Sequence, residues 1–175
     1  MKEMTADNAI FLLQGVYLPA MKNESQLTKK VIEAVPADKS GYRPDAISKS
    51  AIELVRHIAA ADVRFVDTVL TGQFNTGAVI PDNLKMPAEI AAWYEPRYAA
   101  NMEALTRLRG EQLTKMVDFR GMFQRPAVLF LMIGLHHTIH HRGQLSSYLR
   151  CMGAKVPSIY GESYDAEQAR KATQA

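Results

Sequence analysis

The segment HHTIHHRGQL, residues 136–145, holds four of the chain's five histidines. A neutral imidazole offers one nitrogen lone pair, so clustered histidines can chelate a metal, handle protons near neutral pH, or decorate a wet helix face. Helical geometry separates the four. At about 100° per residue, side chains four apart lie about 40° from each other on the helix surface. With His137 at zero, His141 falls near 40°, inside or beside an apolar stripe formed by Phe130, Gly134, Leu145, Tyr148 and Met152. His140, at about −60°, and His136, at about −100°, fall toward the edge. The inward pair is therefore His137 and His141, an HxxxH arrangement whose rings one turn apart can converge on one divalent ion. Two ligands leave such a site incomplete. The remaining histidine, His57, sits about 90° from the apolar stripe of its own segment and by position alone reads as a boundary residue. It is also the imidazole left over for a three-histidine set, and His140 could replace one of the inward pair if the helix is rotated.

The neighbouring residues divide by angle. Gln144, at about −20°, faces the same side as the inward histidines and could touch a ligand or hold a ring. Tyr148 reads as core, with a hydroxyl directed toward the site. Arg142, at about 140°, points away from the stripe and reads as one half of a structural salt bridge. Gly143 would permit close helix packing. Cys151 lies about two and a half turns beyond His141, too far along the axis to bind the same ion, and reads as a buried thiol. Glu53 and Asp62 read as surface groups or as groups behind the ligands, and no general base stands out.

Proline and glycine divide the elements that must position these residues into a few long helical segments. The first covers residues 9–34, interrupted by Gly15 and Pro19, with its main helix running from about Pro19. The second covers 46–70, where Ile47, Ala51, Leu54, Ile58, Ala61, Phe65 and Val69 recur at helical spacing and Thr71-Gly72 closes the run. A loop over 73–86 follows. Pro87 opens a third helix to about Arg109. Residues 110–125 are mixed, with Val117–Phe119 extended. Pro126 opens the fourth helix, which runs to about Met152, where Gly153 stops it. Residues from about 166 form a frayed tail. With no series of alternating strands, the expectation is an all-α four-helix bundle, a usual home for metal ligands on facing helices.

The totals fit one domain spanning residues 1–175. The composition is 47% hydrophobic and 22% charged, with a net charge of +3, that of a globular protein rather than a disordered one. The longest basic run is Lys29-Lys30 and acidic residues are interspersed throughout, which argues against nucleic acid as a partner. A single cysteine suits a reducing cytoplasm. The apolar run 127–135 is too short to cross a bilayer, and the charged N-terminus is unlike a signal peptide.

HTIHHRGQLSSYLRCMGAKVPSIYG, residues 137–161, strongly resembles the signature of the DinB family of bacterial metal-dependent proteins. YRPDAISKSAIELVRHIAAADVRFVD, residues 42–67, resembles that family's second-helix region with its histidine, and AEIAAWYEPRYAANMEAL and VDFRGMFQRPAVLF fit the segments between. The resemblance implies a four-helix bundle with up-down-down-up topology, often a homodimer. It also implies a divalent metal, zinc or nickel, held by one histidine of the second helix and two of the last, positions that match His57, His137 and His141. His136 stands where the family has asparagine. Three neutral histidines keep a coordination position open, a property of catalytic metal sites. Two enzyme classes follow: activation of a low-molecular-weight thiol for transfer or isomerisation, which the resemblance favours, and metal-assisted hydrolysis. The alternative from a different class is a non-catalytic metal- or ligand-binding protein of a stress response.

Overall fold

In a computed structural model, which describes residues 3–74 and 79–174, helices dominate. The first rod begins as α1, Ala6–Phe11, capped by the Thr5 hydroxyl, which accepts from the Asn8 amide. It passes through a π-helical segment, Leu12–Tyr17, and continues as α2, Leu18–Glu33. The expected break at Gly15 and Pro19 is thus a change of winding. Pro19 has no N–H to donate, and the wider turn just before it carries the rod past that missing bond.

Helix α3 spans Ala51–Thr71, starting five residues later than the periodicity predicts. The side chains explain the shift. Asp45 accepts from the amides of Ile47 and Ser48 and holds those residues in a turn. Ser50 and Glu53 then form a reciprocal capping box, which fixes the first turn of the helix. Ile47, counted in the apolar stripe, is instead 98% exposed. Gly72, at φ 67°, ends the helix in the left-handed conformation that glycine adopts readily. Parts of the expected 73–86 loop, including Asn75 and Gly77, lie outside the described residues.

Helix α4, Pro87–Leu105, runs through Pro96 and is followed by the short α5, Gly110–Thr114. Strands β1, Met116–Asp118, and β2, Gln124–Pro126, pair as an antiparallel hairpin with Val117 opposite Arg125. Pro126 therefore ends a strand rather than opening a helix, and α6 spans Leu129–Cys151. Gly153, at φ 71°, stops α6 as expected. The tail is not frayed: residues Tyr164–Gln174 form α7, whose first turn is held by Ser163 accepting from Ala166 and Glu167.

The long helices α2, α3, α4 and α6 make the expected all-α four-helix bundle. Helix α3 packs against both α4 and α6, and α2 against the same two. The core between them holds Leu13, Met21, Ile32, Leu54, Ile58, Ile90, Phe130 and Leu131, all essentially inaccessible. Helices α3 and α6 approach closely at Gly134, where an added Cβ would stand 2.8 Å from Phe65 Cβ. Gly143, expected to serve that purpose, has open space around it.

Candidate metal centre

The capping box sets where α3 begins, and from that start two turns carry His57 to the face of α3 that meets α6. There it meets both inward histidines. His57 Nε2 lies 2.9 Å from His137 Nε2 and 3.1 Å from His141 Nε2. The three ligand nitrogens lie within 4.8 Å of one another, and together they could hold a metal ion. Nitrogens bound to one tetrahedral zinc at about 2.0–2.1 Å stand about 3.3 Å apart, so the donor set fits such an ion. The ring angles also suit a common focus: His57 is edge-on to His141 at 87°, and His137 is inclined to His141 at 64°.

Each ring sits half-buried, and burial holds all three imidazoles neutral. Desolvation, with the nearby His141 and Lys49, lowers His57 to about 4. Desolvation, with the neighbouring histidines and Arg64, lowers His137 to about 4. Burial lowers His141 too, against an opposing hydrogen bond that the ring donates to Gln144. Neutral rings keep the lone pairs that a cation needs.

The tautomer of His141 is set from behind. Its Nδ1 lies 3.1 Å from Gln144 Oε1, which can only accept, so Nδ1 carries the proton and Nε2 is the free donor. Gln144 Nε2 in turn donates to the Tyr148 hydroxyl at 3.1 Å. Gln144 thus contacts the His141 ring, and Tyr148 contacts Gln144. His137 has no such support among the described residues: its Nδ1 is buried without a partner, and beyond the other two histidines its ring meets Phe65 at 5.7 Å between centroids.

The outer histidines stay outside. His136 and His140 are exposed, although the His140 ring lies edge-on to His141 at 4.8 Å. Glu53 is occupied as a cap and by Arg43. Asp62, read as a surface group or one behind the ligands, is buried between helices, where it accepts from the Tyr94 hydroxyl at 2.8 Å and from the Thr138 hydroxyl. Burial outweighs those two bonds and raises its carboxyl to about 6. Arg142 does form the expected salt bridge, but as a buried residue: its guanidinium bonds Glu24, the Thr28 hydroxyl and the Tyr160 hydroxyl. Cys151, expected to be buried, is exposed.

Two charges escaped the sequence reading. Lys49 and Arg64 both act electrostatically on His57. Arg64 follows His57 by seven residues and so shares its helix face, a signal available in the spacing. Lys49 lies in the turn before α3, where no periodicity applies.

The fold and the site define a class: helical bundles with a triple-imidazole cluster between two core helices. The chain belongs to the DinB family, whose profile matches residues 4–173. It is 29% identical over 130 residues to the uncharacterized protein YjoA of Bacillus subtilis strain 168, covering 73% of this chain and 82% of that protein. The crystal structure of YjoA, a DinB-like protein, superposes with a TM-score of 0.67 at 22% identity, covering 84% of this chain and 99% of that one. A DinB-like protein from Bacillus cereus ATCC 10987 superposes with a TM-score of 0.69 at 22% identity, covering 91% and 100% respectively. These two likenesses establish the fold. Among the described residues, no helix is long and apolar enough to cross a membrane.

Proposed function

We propose that this protein is a divalent-metal enzyme whose ion, zinc or nickel, is held by His57, His137 and His141 and activates a low-molecular-weight thiol for transfer or isomerisation. The observation that carries the reading is the convergence of three neutral Nε2 donors within 4.8 Å, from two separate helices. Such an ion, when bound, supplies Lewis acidity and lowers the pKa of a thiol or water that joins it. The residues of the chain do the rest. Gln144 fixes the donor nitrogen of His141, and Phe65 flanks the His137 ring on its apolar side. Lys49 and Arg64 add positive potential around His57, which favours an anionic partner such as a thiolate over a neutral one. The partners are then a small-molecule electrophile and the thiol, and the working unit is a homodimer in the cytoplasm.

Metal analysis of purified wild type and of His57→Ala, His137→Ala and His141→Ala tests the site. One ion per chain in the wild type and none in the variants, at unchanged helical content, is the expected result; full occupancy in any variant refutes the ligand set. Incubating metal-loaded protein with an electrophile, with and without candidate thiols, tests the reaction. Turnover only with thiol supports transfer, turnover without it indicates hydrolysis, and no turnover with either leaves a metal-binding protein. Sedimentation tests the dimer.

A further inference from the structure

A large cleft lies away from the histidines. It lies between the α1–α2 rod and α4 and has a volume of about 710 Å³, within the roughly 300–1,000 Å³ of small-ligand sites. Its accessible lining is apolar, from Leu18, Ala99 and Met102, over a floor in which Tyr94 and Tyr98 pack 5.2 Å apart between ring centroids and are themselves 1% and 6% exposed. The floor is anchored from behind, because the Tyr94 hydroxyl donates to buried Asp62. One end abuts the π-helical segment, which contributes Gln14, and π-helical turns inside α-helices occur often at functional sites.

The rim decides what such a floor would accept. Its charged residues are Lys22, Lys29, Glu95 and Glu103. Lys29 bonds Glu95 at 2.6 Å, and Glu103 bonds Arg107 at 2.9 Å. The Lys22 ammonium has no ion-pair partner among the described residues. Once the pairs cancel, a single positive charge stands over an apolar lining.

We propose that this cleft binds a singly charged anionic amphiphile: an apolar body, aliphatic or aromatic, seated on Leu18, Ala99 and Met102, with one carboxylate or sulfonate at Lys22. The site is separate from the histidine cluster, since none of the residues lining it is a histidine.

The test uses decanoate below its micelle-forming concentration, with decyltrimethylammonium as the size-matched cation, each titrated into the full chain by calorimetry. Decanoate is expected to bind saturably, one per chain, and at least fivefold more tightly than the cation, the scale of one partly exposed ion pair. Lys22→Glu should reverse that preference, and Ala99→Trp, which fills the cleft from an exposed position on α4, should abolish decanoate binding. His57→Ala should leave it unchanged, which separates failure here from failure of the metal reading. Equal affinity for the two ions, an indifferent Lys22→Glu, or no saturable binding would overturn the proposal. So would dissociation of an oligomer by Ala99→Trp in a protein that binds no decanoate, because the cleft would then be a contact between copies.

Discussion

Gln144 Oε1 stands 3.1 Å from His141 Nδ1, three residues earlier on the same helix, and turns that ring's other nitrogen toward His57. A ligand whose tautomer and orientation are fixed by a neighbour binds metal more tightly than a free ring. Gln144→Ala should therefore weaken metal affinity about 10–100-fold, measured by chelator competition, with no change in helical content. Gln144→Glu, which accepts from the same N–H more strongly, should retain or raise affinity. Wild-type affinity in the alanine variant would remove Gln144 from the site.

The metal-free protein should lose stability as pH falls from about 6.5 toward 4. His57 and His137 titrate near 4 in the fold, against 6.5 for the free side chain, so between these values the unfolded chain binds more protons. Asp62 works in the opposite direction. Its carboxyl is raised from 3.8 to about 6, so its contribution is present at low pH and is lost as pH rises through about 6. Tyr94 and Thr138 contact it, with Arg142 and Glu24 acting at longer range. Denaturant midpoints taken from pH 4 to 7 should rise more steeply with pH in Asp62→Asn than in wild type. An unchanged profile would mean that Asp62 keeps an ordinary carboxyl.

Removing Arg142 should destabilise the bundle strongly. Its side chain is 2% exposed and Glu24, its partner, 13% exposed, so Arg142→Ala strands a largely buried carboxylate. The expected loss is about 3 kcal/mol, or roughly 6–12 °C in Tm for a chain of this size. Tyr160 shares the network through both residues, so protease cleavage of the segment after Gly153 should accelerate in the same variant. A change of under 1 °C would show that Glu24 finds water instead.

Gly134 lets α3 and α6 come together at the level of the histidines. Gly134→Ala places a methyl carbon 2.8 Å from Phe65 Cβ, where one of them must move. The expected penalty is about 1–3 kcal/mol by thermal denaturation, with weaker metal binding because Phe65 flanks His137. Gly143→Ala meets open space and should be neutral or slightly stabilising, since alanine favours the helix.

Periodicity located the helices and chose the inward pair of histidines, because a helix maps spacing onto angle without reference to anything else. It failed where side chains competed with the helix. The Asp45 turn and the Ser50–Glu53 box moved the start of α3 and left Ile47 in water. Arg142 misled for a related reason: its angle of about 140° was judged against a stripe facing one neighbour, whereas α6 packs against both α3 and α2. Cys151 erred the other way, as an apolar side chain near the end of α6 where the bundle no longer covers that face.

By itself the sequence determined that four long helices would form and that His137 and His141 would share a face, since both follow from local spacing. Only the tertiary structure decided that His57, 80 residues away from His137 in the chain, would complete the set. Its position on α3 is a local fact, but which helix meets that face depends on how all the apolar stripes are satisfied together, and no spacing within one helix contains that information.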